Sequence, residues 1–167
     1  MLRLRLLTKV NDRIEKLLLA VSVLLLIAFS SIVFIQIIFR NVFKIPMMWS
    51  IEVSLLCFFW AVFLGAAVGL RYRRHYTVEL LPEKFMRTNL FLEIISHLIV
   101  LLMIYVFVVH GYKFAAMGFS KMSTSIAMPQ GYFFLSLPVG GVAMVLFSIE
   151  LIVRDIKKFT NIAKGGN

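Results

Sequence analysis

Charged residues are scarce in this chain of 167 residues, and acidic ones are scarcer still. Asp, Glu, Lys and Arg make up 16% of the sequence, with 8 acidic against 18 basic residues. In contrast, 61% of the residues are hydrophobic and the mean hydropathy is +0.94. Soluble domains average roughly 25% charged residues. The composition therefore excludes an ordinary soluble domain and indicates an integral membrane protein.

The groups that carry most enzyme and metal chemistry are also few. Cys57, the single cysteine, lies in an apolar stretch, which excludes an intrachain disulfide and favours a packing role. Haem anchors usually take histidines from two helices at one depth, but His97 and His110 share one predicted helix about 20 Å apart, and His75 lies in a loop. No zinc spacing, phosphate-binding glycine loop or nucleophile–base motif is present. We therefore expect no catalytic, cofactor-binding or metal-binding residues, no cofactor and no enzymatic activity.

Four apolar stretches are long enough to cross a membrane. A hydrocarbon core of about 30 Å needs roughly 20 helical residues, and a spanning backbone must satisfy its own hydrogen bonds. The predicted spans are 17–39, 49–70, 90–111 and 132–153. The predicted fold is therefore all-α, with residues 1–167 forming a single four-span membrane domain.

The basic residues between the spans predict the orientation. Of the 18 Lys and Arg residues, 14 fall on the side that holds both termini and 4 on the other. Cytoplasmic loops carry the excess of basic charge, so we expect both termini inside (N-in/C-in). The same placement explains the net charge of +10 by orientation and anionic lipids, and we expect no nucleic-acid partner.

The segment before the first span has the pattern of an amphipathic helix. Its apolar residues fall within one arc of a helical wheel, with its charged residues elsewhere. This pattern predicts a helix that lies in the inner membrane interface before the chain turns into the bilayer. A basic flank that only fixes orientation is the alternative. The apolar arc comprises Leu6, Leu7, Val10, Ile14, Leu17 and Leu18.

Small residues recur every fourth position in the second span. Cys57, Ala61, Gly65 and Gly69 form one stripe that lets another backbone approach closely. The partner is either another helix of this chain or a second protein. Trp49 stands at the start of the span, where interfacial aromatic residues are common.

Glu52 is the best candidate for an ionisable residue within a span. It lies only about 4.5 Å beyond Trp49 by helical rise, so its burial is shallow. A structural bond to a neighbouring helix or loop is the favoured interpretation, and ion coupling the alternative.

In the fourth span, Pro138 predicts a kink or irregularity, and Glu150 and Arg154 predict an ion pair four residues apart.

A set of residues that covers most of 10–155 begins with Arg40-Asn41-Val42-Phe43, Pro46, Trp49 and Glu52. In its order and spacing this set resembles the small membrane subunit of tripartite ATP-independent periplasmic (TRAP) transporters. The family often has two adjacent carboxylates after the tryptophan, whereas this chain has Glu52 alone, and Tyr76 and Glu79 replace the usual neighbours of the loop histidine. The resemblance is carried by Arg40-Asn41-Val42-Phe43, Pro46, Trp49, Glu52, Phe58, Trp60, Phe63, Gly65, Ala66, Arg71, His75, Val78, Leu81, Pro82, Pro129, Tyr132, Pro138 and Gly140.

The resemblance implies a multi-pass protein of the bacterial inner membrane that works with two partners. A large membrane subunit would hold the substrate and sodium sites, and a periplasmic binding protein would deliver an organic acid for sodium symport. The small subunit would be a non-catalytic scaffold. The separate, short chain is most similar to unfused sialic-acid systems.

The resemblance and the residue patterns together suggest three groups of site residues. Packing against the large subunit or between helices is expected of Trp49, Glu52, Cys57, Ala61, Gly65 and Gly69. Contact with lipid phosphates or the large subunit at the inner face is expected of Arg71, Arg73, Arg74 and His75. The outer-face cations available to a docking protein are Arg40, Lys44, Lys113 and Lys121.

Two other functions fit a small four-span protein. One is a self-contained proton-coupled exchanger that uses Glu52, which the shallow depth of that residue and the apolar first and third spans disfavour. The other is a membrane anchor of a redox complex, which the histidine spacing disfavours.

Overall fold

The protein is built from helices that cross the membrane four times. The structure, a computed structural model, describes residues 2–72 and 98–164, with side chains described over 8–72 and 98–152. Within these ranges the only β-type pairing is an isolated bridge between Met122 and Pro129. The helices are α1 (Leu2–Asn41), α2 (Met48–Arg71), α3 (Leu98–Gly118), α4 (Gly131–Phe134) and α5 (Ser136–Lys164).

The prediction of an all-α protein with four membrane-spanning helices is confirmed. The segments long and apolar enough to cross a bilayer are Thr8–Asn41, Met48–Arg71, Leu98–Gly118 and Gly131–Ile152. The third extends seven residues beyond its predicted end at Gly111. Gly111 lies inside the helix, at a place where α3 and α5 approach each other closely. A Cβ on Gly111 would lie 2.9 Å from the Cβ of Leu137.

Helix α1 runs without a break from Leu2 to Asn41, over 40 residues or about 60 Å. The expected turn between an interfacial helix and the first span is therefore not seen, and the amphipathic segment continues directly into the span. The physical reason is that residues 2–41 contain neither proline nor glycine. The helix ends where Lys44 takes φ 58° and Pro46 follows.

Helices α2, α3 and α5 enclose the apolar core, and α1 packs along α2. Glycines allow the closest contact: a Cβ on Gly140 would lie 2.8 Å from the carbonyl oxygen of Phe63, and one on Gly141 2.9 Å from Val108. This spacing brings α5 against the backbone of α2 and against α3. The core consists of Ala67, Leu70, Ile104, Ala143, Met144 and Phe147.

Two irregularities lie on either side of the α3–α5 contact. Residues Val106–His110 of α3 form a π-helical turn, a feature often found at functional sites. The fourth span is interrupted at Leu135, between α4 and α5. Pro138 has no N–H to donate to the carbonyl of Phe134, which accounts for an interruption at this place.

Candidate functional sites at the two ends of the bundle

One end of the bundle is organised around the guanidinium group of Arg71, the last residue of α2. Arg71 donates to the carboxylates of Asp12 and Glu15 on α1. It also contacts Glu150 on α5, with Nε 3.2 Å and Nη2 3.3 Å from the carboxylate oxygens. Only 6% of the Arg71 side chain is exposed. We call Asn11, Asp12, Glu15, Arg71 and Glu150 the Arg71 cluster.

The second partner of Glu150 comes from α1. Asn11 Nδ2 donates to Glu150 Oε2 at 2.7 Å and is 3.5 Å from the carbonyl oxygen of Leu146. Tyr72 OH donates to Glu15. The guanidinium carbon of Arg71 also lies 5.5 Å from the ring centre of Phe147, a cation–π distance. The cluster thus ties α1, α2 and α5 together at one level.

The Arg71 cluster has one cation and three carboxylates, and their exposure differs. The side chain of Glu150 is 2% exposed and that of Glu15 14%, whereas Asp12 is 51% exposed. A buried carboxylate is tolerated only when it is paired, because its desolvation costs several kcal/mol. Arg71 and Asn11 therefore hold Glu150 in place, while Asp12 also remains accessible to water.

This geometry departs from the role expected of Arg71. The guanidinium is turned towards carboxylates of its own chain, and its burial argues against a contact with lipid phosphates. Arg73, Arg74 and His75 lie outside the described residues. Glu150 pairs with Arg71 and Asn11, and the side chain of Arg154, its predicted partner, also lies outside the described part.

Asn11, Asp12 and Glu15 were not singled out from the sequence. The available signal was that Asn11 and Asp12 lie four and three residues before Glu15, within one helical turn of it, in the α1 segment that leads into an apolar span. Their partners are 56 to 139 residues away in sequence, so no local pattern could identify them.

The opposite end of the bundle is organised around the carboxylate of Glu52, about one turn after the start of α2. Ser123 Oγ donates to it at 2.5 Å and Thr124 Oγ1 at 3.0 Å. The backbone N–H groups of Thr124, Ser125 and Ile126 converge on the same two oxygens at 2.9 to 3.1 Å. Successive backbone N–H groups around an anion form a nest.

The nest shapes the 119–130 loop between α3 and α4. The loop closes on itself through hydrogen bonds from Ser123 N to the Met128 carbonyl at 2.9 Å and from Gln130 N to the Lys121 carbonyl at 2.8 Å. Ala127 takes φ 49° at its turn. With these bonds Glu52 fixes the loop against α2.

Glu52 is thus placed for a structural bond to a neighbouring loop, the favoured sequence interpretation. A proton-coupled exchanger needs a carboxylate that alternates between partners, whereas both oxygens of Glu52 are held by donors of this chain. We call the two ends of the bundle the Arg71 end and the Glu52 end.

Replacing Glu52 with glutamine should release the 119–130 loop. The amide keeps one acceptor oxygen but directs an NH2 group at backbone N–H donors, so part of the nest loses its acceptor. We expect trypsin to cleave after Lys121 about tenfold faster than in the unsubstituted chain, because proteolysis follows local opening.

Cleavage after Lys44, in the α1–α2 connection, is the internal control and should keep its rate. An unchanged rate at Lys121 would show that Glu52 does not hold the loop.

The small-residue stripe of α2 faces the bundle only in part. Ala61 is buried, whereas Cys57, Gly65 and Gly69 are half-buried. A Cβ on Gly65 would lie 3.9 Å from Ser22 Oγ of α1, which is an ordinary contact distance. Gly65 therefore faces a helix of the same chain, and the tight glycine contact is made by Gly140. The Gly140-Gly141 pair in the sequence was the signal for it.

The aromatic residue and the cations expected at the Glu52 end are all on the surface. Trp49 is 48% exposed at the start of α2. Arg40, Lys44, Lys113 and Lys121 are exposed as well. Lys113 belongs to α3 rather than to a connection after it, because the helix continues to Gly118.

The described spans hold few polar groups between the two ends of the bundle. Among the described residues no group of three His, Cys, Asp or Glu side chains is arranged to hold a metal ion. Two of the buried hydroxyl groups donate to nearby carbonyls: Ser54 to Ser50 of the same helix at 2.6 Å, and Ser136 at the start of α5 to Phe133 of α4 at 2.7 Å. Trp60 donates to the carbonyl of Tyr132 at 3.0 Å. These bonds join and cap helices and leave the core apolar.

Comparison with known proteins gives a consistent result. Residues 29–158 match the family described as "Tripartite ATP-independent periplasmic transporters, DctQ component". The sialic acid TRAP transporter small permease protein SiaQ of Vibrio cholerae is 26% identical over 170 aligned positions, which cover 99% of this chain and 95% of that relative. The sialic acid TRAP transporter permease protein SiaT of Haemophilus influenzae is 28% identical over 138 positions, which cover 80% of this chain and 22% of SiaT.

Proposed function

The chain belongs to the DctQ component family of the tripartite ATP-independent periplasmic transporters, and from this membership we propose that it is a non-catalytic scaffold for the large membrane subunit. It is a TRAP small permease subunit, a multi-pass protein of the inner membrane and not an enzyme. The proposal concerns how such a subunit contributes to uptake.

The observation that supports a scaffold is the placement of the buried charge. In the described residues the buried ionic groups lie in the Arg71 cluster, and Glu52 is held at the other end by the 119–130 loop. The core between the two ends is apolar. An ion or an acidic solute crossing such a core would lose its hydration without replacement ligands, at a cost of several kcal/mol. Substrate movement is therefore assigned to the partner.

The relatives suggest the chemistry of the transported solute. Both are sialic acid transporter components, so we propose an organic acid, with sialic acid as the first candidate. A periplasmic binding protein would deliver it, and the sodium sites that couple uptake would lie in the large subunit. We propose no cofactor for the small subunit.

The excess of basic residues places both termini in the cytoplasm under this proposal. The Arg71 end then lies at the inner face and the Glu52 end at the periplasmic face. The exposed cations at the Glu52 end would meet an incoming acidic protein surface, and such charges act mainly on the rate of encounter.

Co-purification with the large subunit tests the scaffold proposal. A tagged copy of this chain, expressed with its large subunit and extracted in mild detergent, should recover that subunit in near-equimolar amount. The first helix hairpin alone, residues 1–72, is the control and should recover much less, because α3 and α5 are missing. Failure of the full chain to capture the large subunit would contradict the proposal.

A further inference from the structure

Helix α3 presents polar side chains on a surface that points away from its own bundle. Tyr105 is 56% exposed, and His110 and Lys113 are exposed on the following turns. The rings of Tyr105 and His110 lie against each other, with centres 6.0 Å apart at 79°. The two residues are five positions apart in sequence, and they lie on the same face of α3 because the turn between them is π-helical. Together with the apolar Leu98, Leu102 and Met117, these residues form what we call the α3 stripe.

His110 lies deep within the membrane-spanning part of the molecule. The neighbouring Gly111 packs against Leu137 and Pro138 of α5. Pro138 precedes Glu150 of the Arg71 cluster by twelve positions, or about 18 Å of helical rise. The Arg71 cluster, with its charged groups, marks one edge of the hydrocarbon core. Since that core is about 30 Å thick, His110 lies near its middle.

Lipid is a poor neighbour for such a side chain. An imidazole carries an N–H donor and, when neutral, an acceptor nitrogen, and acyl chains satisfy neither. Within the part of the chain that the structure describes, the His110 ring makes no hydrogen bond. Ionisable residues at this depth normally face the inside of an assembly, where other groups pair with them.

The outward face of α1 provides the contrast within the same chain. Its exposed residues in the middle of the span are apolar, such as Leu24 at 65% and Leu26 at 51% exposure, except for Ser30 and Ser31, which carry no ionisable group. Apolar side chains need no hydrogen-bond partner, so acyl chains suit them as neighbours. Of these two exposed faces, that of α1 fits lipid and that of α3 fits protein.

From this contrast we propose that the α3 stripe is the surface on which the large membrane subunit packs, with Tyr105 and His110 bonded to polar side chains of that subunit at mid-membrane depth. The inference rests on the proposed function and deepens it by naming the face. The large subunit is favoured over a second copy of this chain because SiaT, a permease protein, contains the matching region as only 22% of its length. A region built into a larger permease works beside the rest of it.

Site-specific photo-cross-linking in the intact complex tests the assignment. The photoreactive amino acid p-benzoylphenylalanine is placed at Leu102 or Tyr105 on α3, and at Leu24 on α1 as the matched control. With the large subunit co-expressed, irradiation should give an adduct of the two subunits from both α3 positions and not from Leu24.

Each other outcome contradicts the assignment in a distinct way. Adducts from Leu24 alone would place the interface on α1, and adducts at twice the mass of this chain would make the occupant a second copy. Lipid adducts alone at α3, from a complex that still co-purifies, would refute the face but leave the scaffold proposal standing. If the unsubstituted chain captures no large subunit, the proposed function fails and the inference fails with it.

A substitution gives an independent readout. His110→Trp should lower recovery of the large subunit about tenfold, since an enlarged side chain must be accommodated in a packed interface. Leu24→Trp should leave recovery unchanged. The melting temperature of the isolated chain should be the same for both, because both positions are exposed in it. Equal recovery with the two variants would overturn the assignment.

Discussion

Replacing Arg71 with methionine is expected to lower the free energy of unfolding by about 3 to 5 kcal/mol, the cost of removing one member of a buried ion pair. Methionine keeps an apolar stem against Phe147 but removes every donor that Arg71 directs at Asp12, Glu15 and Glu150. Glu150 would retain its bond from Asn11 while remaining almost fully buried. Loss of the folded fraction on heating, followed by size-exclusion chromatography in detergent, measures the change.

Two further variants separate the buried pair from the exposed one. Asp12→Asn should cost no more than about 1 kcal/mol, because the Asp12 side chain is half exposed and exposed ion pairs contribute little. Adding Glu150→Leu to Arg71→Met should recover part of the loss, since an apolar side chain then replaces a buried carboxylate that no longer contacts Arg71. If Arg71→Met is as stable as the unsubstituted chain, the cluster does not hold the Arg71 end together.

Replacing Gly140 with alanine is expected to destabilise the chain by about 1 to 3 kcal/mol, although alanine is the better helix former. The added Cβ would stand 2.8 Å from the Phe63 carbonyl oxygen and 3.1 Å from its carbonyl carbon. Backbone atoms cannot rotate away as a side chain can, so α5 must move off α2. The core residues between these helices would lose contacts as a result.

Gly65→Ala is the matched control for this prediction. Its new Cβ would lie 3.9 Å from Ser22 Oγ, at ordinary contact distance, and the change removes a helix-weakening glycine. Gly65→Ala should therefore be neutral or slightly stabilising in the same thermal assay. Equal effects of the two substitutions, or a larger effect at Gly65, would contradict the packing described for α5 against α2.

The number and approximate position of the spans could be predicted because they depend on local properties. The length of an apolar stretch and the proline at position 46 are each visible in a short part of the sequence. The resemblance carried by Trp49, Glu52 and the residues after them led to the same family that the comparisons show. The shallow depth of Glu52 in its helix favoured a structural bond, and its hydrogen bonds to the 119–130 loop agree with that interpretation.

What could not be predicted depends on contacts between helices. The sequence shows Arg71 as one of several basic residues after a span, and only the packing of α1 and α5 surrounds it with carboxylates. The stripe from Cys57 to Gly69 has the spacing of a close contact, yet the glycine with no space for a Cβ between α5 and α2 is Gly140. Periodicity gives the face of a helix but does not identify its neighbour.

The π-helical turn of α3 illustrates the same limit. Val106–His110 has no proline or glycine that announces an irregularity. The turn coincides with the close approach of Gly141 to Val108, a tertiary contact, and it orders the stripe on which Tyr105 and His110 lie. The π-helical turn thus accompanies the packing of α5 on α3, and it aligns the α3 stripe that we assign to the large subunit.

Uptake by proteoliposomes tests most directly whether this chain is a scaffold rather than a conduit. Vesicles that contain the chain alone, the large subunit alone or both would be compared under an inward sodium gradient, with binding protein and radiolabelled sialic acid outside. The account predicts uptake only with both membrane subunits, and none by this chain alone with or without Glu52→Gln. Sodium-dependent or proton-dependent solute movement by the isolated chain would contradict it.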